Sequence, residues 1–176
     1  MAQFGICDEP LWPYNSLPGP TVHQGTNTDP TTTAKSNALA NSFSGVISVR
    51  SPGIGVADVF RVLGQGRTVA VTLPVFRDTQ VTDGTTNWTT PAGWSYGRVL
   101  NPPPTSVVVN GHAVCIVGFE PDPSEGRGGY FIVRNSWGTG WGQQAPAPGF
   151  SLVPELGYGE ISATYVDTYI WELLHL

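Results

Sequence analysis

A histidine and an asparagine form a proton-transfer pair when neighbouring strands carry them side by side. Two stretches of this 176-residue chain have that form, Gly111-His112-Ala113-Val114-Cys115-Ile116-Val117-Gly118-Phe119 and Arg134-Asn135-Ser136-Trp137-Gly138-Thr139-Gly140-Trp141-Gly142. Their apolar, β-branched runs predict a strand from His112 to Glu120 and another from Tyr130 to Asn135, joined by a turn rich in Pro, Asp and Gly. In an antiparallel hairpin the start of the first strand lies beside the end of the second, which brings His112 and Asn135 within hydrogen-bond reach. A carboxamide there fixes the tautomer and orientation of the imidazole without adding charge. The other ring nitrogen is left to take a proton from a thiol. Trp137, two residues after the asparagine, is placed to cover that hydrogen bond and keep water from competing for it.

The chain has two thiols, and neither fits the base. Cys115 lies three residues after His112 on the same predicted strand, so its side chain points to the opposite face; it reads as a small core residue. Cys7 is followed directly by Asp8 and Glu9, whose charges oppose a thiolate, and it reads as structural. No nucleophile is expected in this chain. His23 and His175 stand alone, and no C-x-x-C spacing occurs, so the sequence predicts no zinc site, no disulfide framework, no metal and no cofactor.

The elements that must position these residues are β-rich. Residues 1–54 read as a loop-rich connecting segment, with the polar stretch from Asn15 to Asn41 as a long surface excursion, and residues 55–176 as the β-rich part. The spacing of Val56, Val59, Phe60, Val62 and Leu63, stopped by Gly64-Gln65-Gly66, predicts one short helix. Val69 to Phe76 reads as a buried strand in which Pro74 must sit near an end or beside an unpaired edge. From Arg77 to Val107 no period holds, and a long loop is expected there, with a hairpin at Asp83-Gly84. Trp88, Trp94 and Tyr96 in that loop read as packing or anchoring residues, with the lining of a peptide groove as the alternative, and Asn87-Trp88-Thr89 fits the glycosylation sequon. No repeat or linker divides the chain, so residues 1–176 are expected to form a single domain.

The run Asn135-Ser136-Trp137-Gly138-x-x-Trp141-Gly142, following Gly-His-Ala-Val at residues 111–114, resembles the asparagine and histidine motifs of the papain family of cysteine peptidases. Two weaker stretches are similar to bacterial members: Gly5-Ile6-Cys7-x-Glu9-x-x-Trp12-Pro13-Tyr14, and the segment from Gly157 through Val166, which resembles their closing strands. The resemblance implies an α+β, papain-like fold, mainly the antiparallel, barrel-like half with one short helix. It also implies that the helical half, with its nucleophile and oxyanion-hole glutamine, is missing, so that the single peptidase domain is N-terminally incomplete. His112 and Asn135 then correspond to the catalytic base and its orienting residue, Trp137 supports them, and Ala113 and Trp141 lie toward the substrate.

Composition narrows the alternatives. A net charge of −5 with eight scattered Lys and Arg leaves no basic stripe for nucleic acid. The apolar stretches are strand-sized, well short of the roughly 18 residues of a membrane span, and the N-terminus lacks a secretory signal, so the chain as written is expected in the cytoplasm. The expected partners are a peptide or protein substrate or ligand, and a second chain or further copies of this one covering the exposed face. Three functions remain open at this point. The chain is part of a peptidase whose nucleophile comes from another chain or upstream sequence, an inactive pseudo-peptidase that binds peptides or proteins, or a purely structural β-domain.

Overall fold

The computed structural model describes residues 7–11, 30–41, 47–50, 53–142 and 156–175. The chain divides into two compact units, Met1–Val46 with Leu176, and Ile47–His175. In the first, a 3-10 turn at Glu9–Leu11 accompanies a helix α1, Thr32–Ala40, whose N-terminus is capped by the Thr31 hydroxyl accepting from the Ala34 amide. Asn37 of α1 pairs with Asp8 at both ends: its Oδ1 accepts from the Asp8 amide at 2.7 Å and its Nδ2 donates to the Asp8 carboxylate at 2.9 Å. The polar stretch expected to be a surface excursion thus ends in a helix, which an alanine-rich run and a threonine cap suffice to start.

The second unit is built on a sheet. Its strands are β1 (Ile47–Arg50), β2 (Val69–Asp78), β3 (Arg98–Val99), β4 (Ser106–Pro121), β5 (Gly129–Arg134), β6 (Tyr158–Ser162) and β7 (Glu172–His175). Among the described residues they form one seven-stranded sheet in the order β1-β7-β2-β4-β5-β6-β3, so β1 and β3 are its edges. Every neighbouring pair is antiparallel except β3 with β6, which makes the sheet mixed. The expected hairpin is β4 with β5, in register from Cys115 opposite Arg134 to Pro121 opposite Gly129. Pro74 lies in β2 just beyond Thr72, where β7 stops pairing; a residue without an amide proton loses no ladder bond on that side.

Alternation along the strands gives one core face. Val69, Val71 and Leu73 of β2, Val114 and Ile116 of β4, Phe131 and Val133 of β5, Ile161 of β6 and Leu173 of β7 are all buried on it. Two helices of this unit close over them, α2 (Val56–Leu63) with Val59 and Val62, and α4 (Ala163–Tyr169) with Ala163, Tyr165 and Val166. The two helices meet where Asp167 accepts from the Val56 amide at 3.1 Å, and Asp58 accepts from the Gly55 amide to complete the α2 start. Helix α2 spans the residues predicted for it.

Two further helices of this unit, together with α1 of the first, correct the expectation of a single one. Tyr158 through Val166 was expected to close the fold as strand; it is β6 followed by α4, started by Ser162, whose hydroxyl accepts from the Tyr165 amide at 3.0 Å. The segment Arg77–Val107, expected as a loop with a hairpin at Asp83-Gly84, instead contains α3 (Pro91–Tyr96) and β3. Thr90 caps α3 by accepting from the Gly93 amide, and the strand after it pairs with β6 rather than folding back on β2.

Candidate functional site

His112 and Asn135 are brought together. The side chains meet at 2.8 Å between imidazole Nε2 and carboxamide Oδ1. Since Oδ1 can only accept, the ring proton sits on Nε2, and Nδ1 keeps the lone pair a base uses. Asn135 is held from several sides. Its amide donates to the Gly157 carbonyl at 3.0 Å, and its Oδ1 also accepts from the Ser136 amide at 2.8 Å. The residue is buried, and its Nδ2 has no hydrogen-bond partner among the described residues, which leaves a donor available beside the ring.

The strand geometry explains why the histidine points where it does. His112 of β4 lies directly opposite Leu73 of β2, on the core face of the sheet but beyond the last fully covered position, Val114, and it is half-buried. Val75 faces Asn110 while Phe76 faces Val108, so Val109 is an extra residue, a bulge just before the site. Gly111 precedes the histidine because the Trp171 ring fills the space a side chain would take: an added Cβ would come within 2.8 Å of its Cζ3.

Aromatic rings surround the imidazole. Trp137 lies over it with centroids 4.8 Å apart and planes tilted by 33°, and Trp88 meets it edge-to-face at 5.0 Å and 83°. Trp94 stacks on Trp137 at 5.9 Å. Trp137 is partly exposed, as a cover over a hydrogen bond at a surface would be.

Trp141, expected toward substrate, is instead fully enclosed and sends its Nε1 to the Trp88 carbonyl at 3.3 Å, so no face of it is open to a ligand. Its neighbour Gly142 holds φ +67°, and a Cβ there would strike the Tyr158 carbonyl, which accounts for the glycine that ends the motif. Ala113 is exposed, on the sheet face opposite His112.

Cys115 also lies on that second face, beside Ala70 and Arg134, half-buried and outside the core cluster rather than in it. The strand period that turns it from His112 turns it from the core as well. Cys7 belongs to the N-terminal unit and is half-buried there. Most of the Gly5 to Tyr14 stretch, and His23, lie outside the described residues.

The loop before β4 supplies residues that the sequence left in the background. Asn87 is buried: its Oδ1 accepts from the Phe76 amide at 2.8 Å, and its Nδ2 donates to the Leu100 carbonyl at 2.9 Å and the Tyr165 hydroxyl at 3.1 Å. A side chain engaged in this way cannot carry a glycan in the folded protein, so the sequon at Asn87 is a structural anchor. Tyr165 in turn donates to the Pro74 carbonyl, and burial pushes its hydroxyl up to about 12, with the Asn87 hydrogen bond opposing; it remains a neutral donor. Among the described residues no group of three or more His, Cys, Asp or Glu is placed to hold a metal ion, and no helix is long and apolar enough to cross a membrane.

Residues 94–147, which carry this histidine and asparagine, match the family described as papain family cysteine protease. That stretch is similar to the papain family. A cathepsin L-like protein of Caenorhabditis elegans is 52% identical over 33 residues, 19% of this chain and 9% of that protein. Among solved structures, xylellain, a cysteine protease from Xylella fastidiosa, superposes with a TM-score of 0.64 at 19% identity, covering 98% of this chain and 56% of xylellain. Digestive procathepsin L 3 from the larval midgut of Tenebrio molitor gives a TM-score of 0.53 at 22% identity over 97% of this chain and 44% of its own. These likenesses show the papain-like fold, α+β with a mixed sheet, and the chain spans about half the length of the structures it matches.

Proposed function

We propose that this chain is the histidine-and-asparagine part of a cysteine peptidase whose thiolate is supplied by another polypeptide or by sequence upstream. The observation that carries this reading is the 2.8 Å contact of His112 Nε2 with Asn135 Oδ1, which leaves Nδ1 as the base. In the reaction, an external thiol loses its proton to Nδ1 and its sulfur attacks the peptide carbonyl. The C–N bond breaks as the imidazolium returns that proton to the leaving amine, giving a thioester. Water, deprotonated by Nδ1, then releases the acid and regenerates the thiol. Asn135 holds the ring throughout, Trp137 shields the bond between them, and the oxyanion donors come with the thiol. The substrate class is peptide or protein.

A catalytically inactive, peptide-binding protein is the second reading, favoured by the orientation of Cys115 away from the base. The test uses a substrate-like, thiol-directed inactivator read by intact mass, on the purified chain and on the same chain isolated with whatever it binds in its native source. The expected result is no rapid labelling of Cys7 or Cys115 alone, and labelling of an external cysteine in the isolated assembly that is lost in His112→Ala. Rapid stoichiometric labelling of Cys7 that requires His112 would move the nucleophile into this chain and overturn the proposal. Absence of labelling in both preparations, with peptide binding retained, would leave the inactive reading.

A further inference from the structure

The imidazole is walled by two indoles, and only one of them, Trp137, belongs to the motif that carries the asparagine. The other, Trp88, comes from the long segment between β2 and β4. It is fully buried, and its surroundings fix it. The preceding Asn87 is tied to β2 and Leu100 through both ends of its carboxamide, and the Asn87 amide donates to the Phe76 carbonyl at 2.9 Å. The Trp88 carbonyl accepts from Trp141 Nε1, and α3 starts so close to it that a Cβ on Gly93 would clash with that same carbonyl. The indole also stacks with Trp141 at 6.5 Å and 28°, and meets Trp137 at 6.3 Å and 65°. A fully buried ring on a backbone anchored in this way, packed between Trp137 and Trp141, does not give way when the imidazole beside it turns.

We propose that Trp88 is a positioning residue for His112, the rigid wall that, with Trp137, confines the imidazole to the orientation in which Nε2 faces Asn135 and Nδ1 faces outward. Its consequence for catalysis rests on the peptidase reading above, whereas the confinement itself is a property of this chain. Without the wall, the ring can turn about its Cβ–Cγ bond, exchange Asn135 for water, and place its proton on either nitrogen. With it, one tautomer persists. Asn87 acts one step further back, by fastening Trp88 to the sheet.

The experiment is a measurement of the His112 side-chain 15N shifts in the whole chain, which report how much of the ring carries its proton on Nδ1 instead of Nε2. The expected result is a small Nδ1–H population in the wild type that rises about tenfold in Trp88→Ala, the effect of losing roughly one net hydrogen bond's preference. Trp88→Phe, which keeps a flat ring at the same place, should restore the wild-type ratio, and Trp88→Leu, apolar but not flat, should fall between. Ile116→Ala serves as the control for general loosening, since it empties core space four residues along the strand, and it should leave the ratio unchanged. An unaltered ratio in Trp88→Ala or, should that variant not fold, in Trp88→Leu would overturn the proposal. So would an equal rise in Ile116→Ala. The inactivator experiment can fail without touching this one, because the tautomer ratio needs no nucleophile.

Discussion

Val114 and Ile116 differ from Val107, Val108 and Val109 in what lies over them, although one strand carries all five. The first pair is buried in the core cluster with Phe131 and Val133, while the three valines are 44%, 51% and 42% exposed. Both ends of β4 are hydrogen-bonded: residues 106–116 pair with β2, and residues 115–121 with β5. Backbone pairing is therefore shared and side-chain cover is not. His112 stands at the boundary, anchored by the covered end and open toward the uncovered one. That position suits a base, which needs a fixed ring with one nitrogen free, and neither a fully buried nor a fully solvated histidine provides both.

The contrast is tested most severely at Ile116. Ile116→Ala removes a fully buried side chain where the two registers overlap, and it is expected to lower unfolding free energy by about 2–5 kcal/mol, measured by urea denaturation. A loss under about 1 kcal/mol would mean that the covered end of β4 is not what holds the strand.

At the boundary itself, Gly111→Ala pushes a methyl group against the Trp171 ring, which is 41% exposed and able to swing outward. The expected loss is about 1 kcal/mol, the low end of overpacking costs, with a change in tryptophan emission. No change in either would show that Trp171 does not rest on the strand in solution.

Much of this boundary was legible in the sequence. The hairpin of β4 and β5 followed from β-branched runs, and the pairing of His112 with Asn135 followed from the hairpin, because register is a local property. Helix α2 was legible because its apolar positions repeat at helical spacing. Helix α4 was not. Ala163-Thr164-Tyr165-Val166 reads as strand by propensity, and what overrides that is the burial of Tyr165 and Val166 together with the Ser162 cap. Helix α3 had visible signals in Thr90-Pro91 and Gly97, but six residues are too few to show a period. Nor was the place of Trp88 beside His112 legible. It depends on Asn87 reaching Phe76, Leu100 and Tyr165, contacts made across the fold that no local pattern encodes.

The covered end of β4 carries an electrostatic cost that pH should reveal. Glu160 of β6 is buried, and that burial raises its carboxyl above the ordinary range; Arg98 opposes the shift, and Glu120 and Asp122 at the end of β4 add to it. A carboxyl that binds its proton more tightly folded than unfolded contributes stability at pH below its unfolded value, roughly 4.3. That contribution is lost as pH rises through the folded value. Glu160→Gln removes the loss. The variant is expected to melt higher than the wild type at pH 7, with the difference shrinking toward zero below about pH 4. A variant that melts lower at pH 7 would mean that attraction to Arg98 outweighs the burial.

The smallest effect is expected where the strand lies open. Val108→Thr keeps a β-branched side chain, and so keeps the backbone preference that pairs Val108 with Phe76, while exchanging one methyl for a hydroxyl at a half-exposed position. Little apolar surface is in play, because water already reaches the side chain; the expected change is within about 0.5 kcal/mol by urea denaturation. The same substitution at Val114 leaves a hydroxyl without water in the core and is expected to cost about 1–3 kcal/mol. The difference between two chemically identical changes on one strand isolates side-chain cover from pairing. If Val108→Thr proved as damaging as Val114→Thr, something would have to cover the open end in solution, and His112 would then sit inside a packed interior and not at its edge.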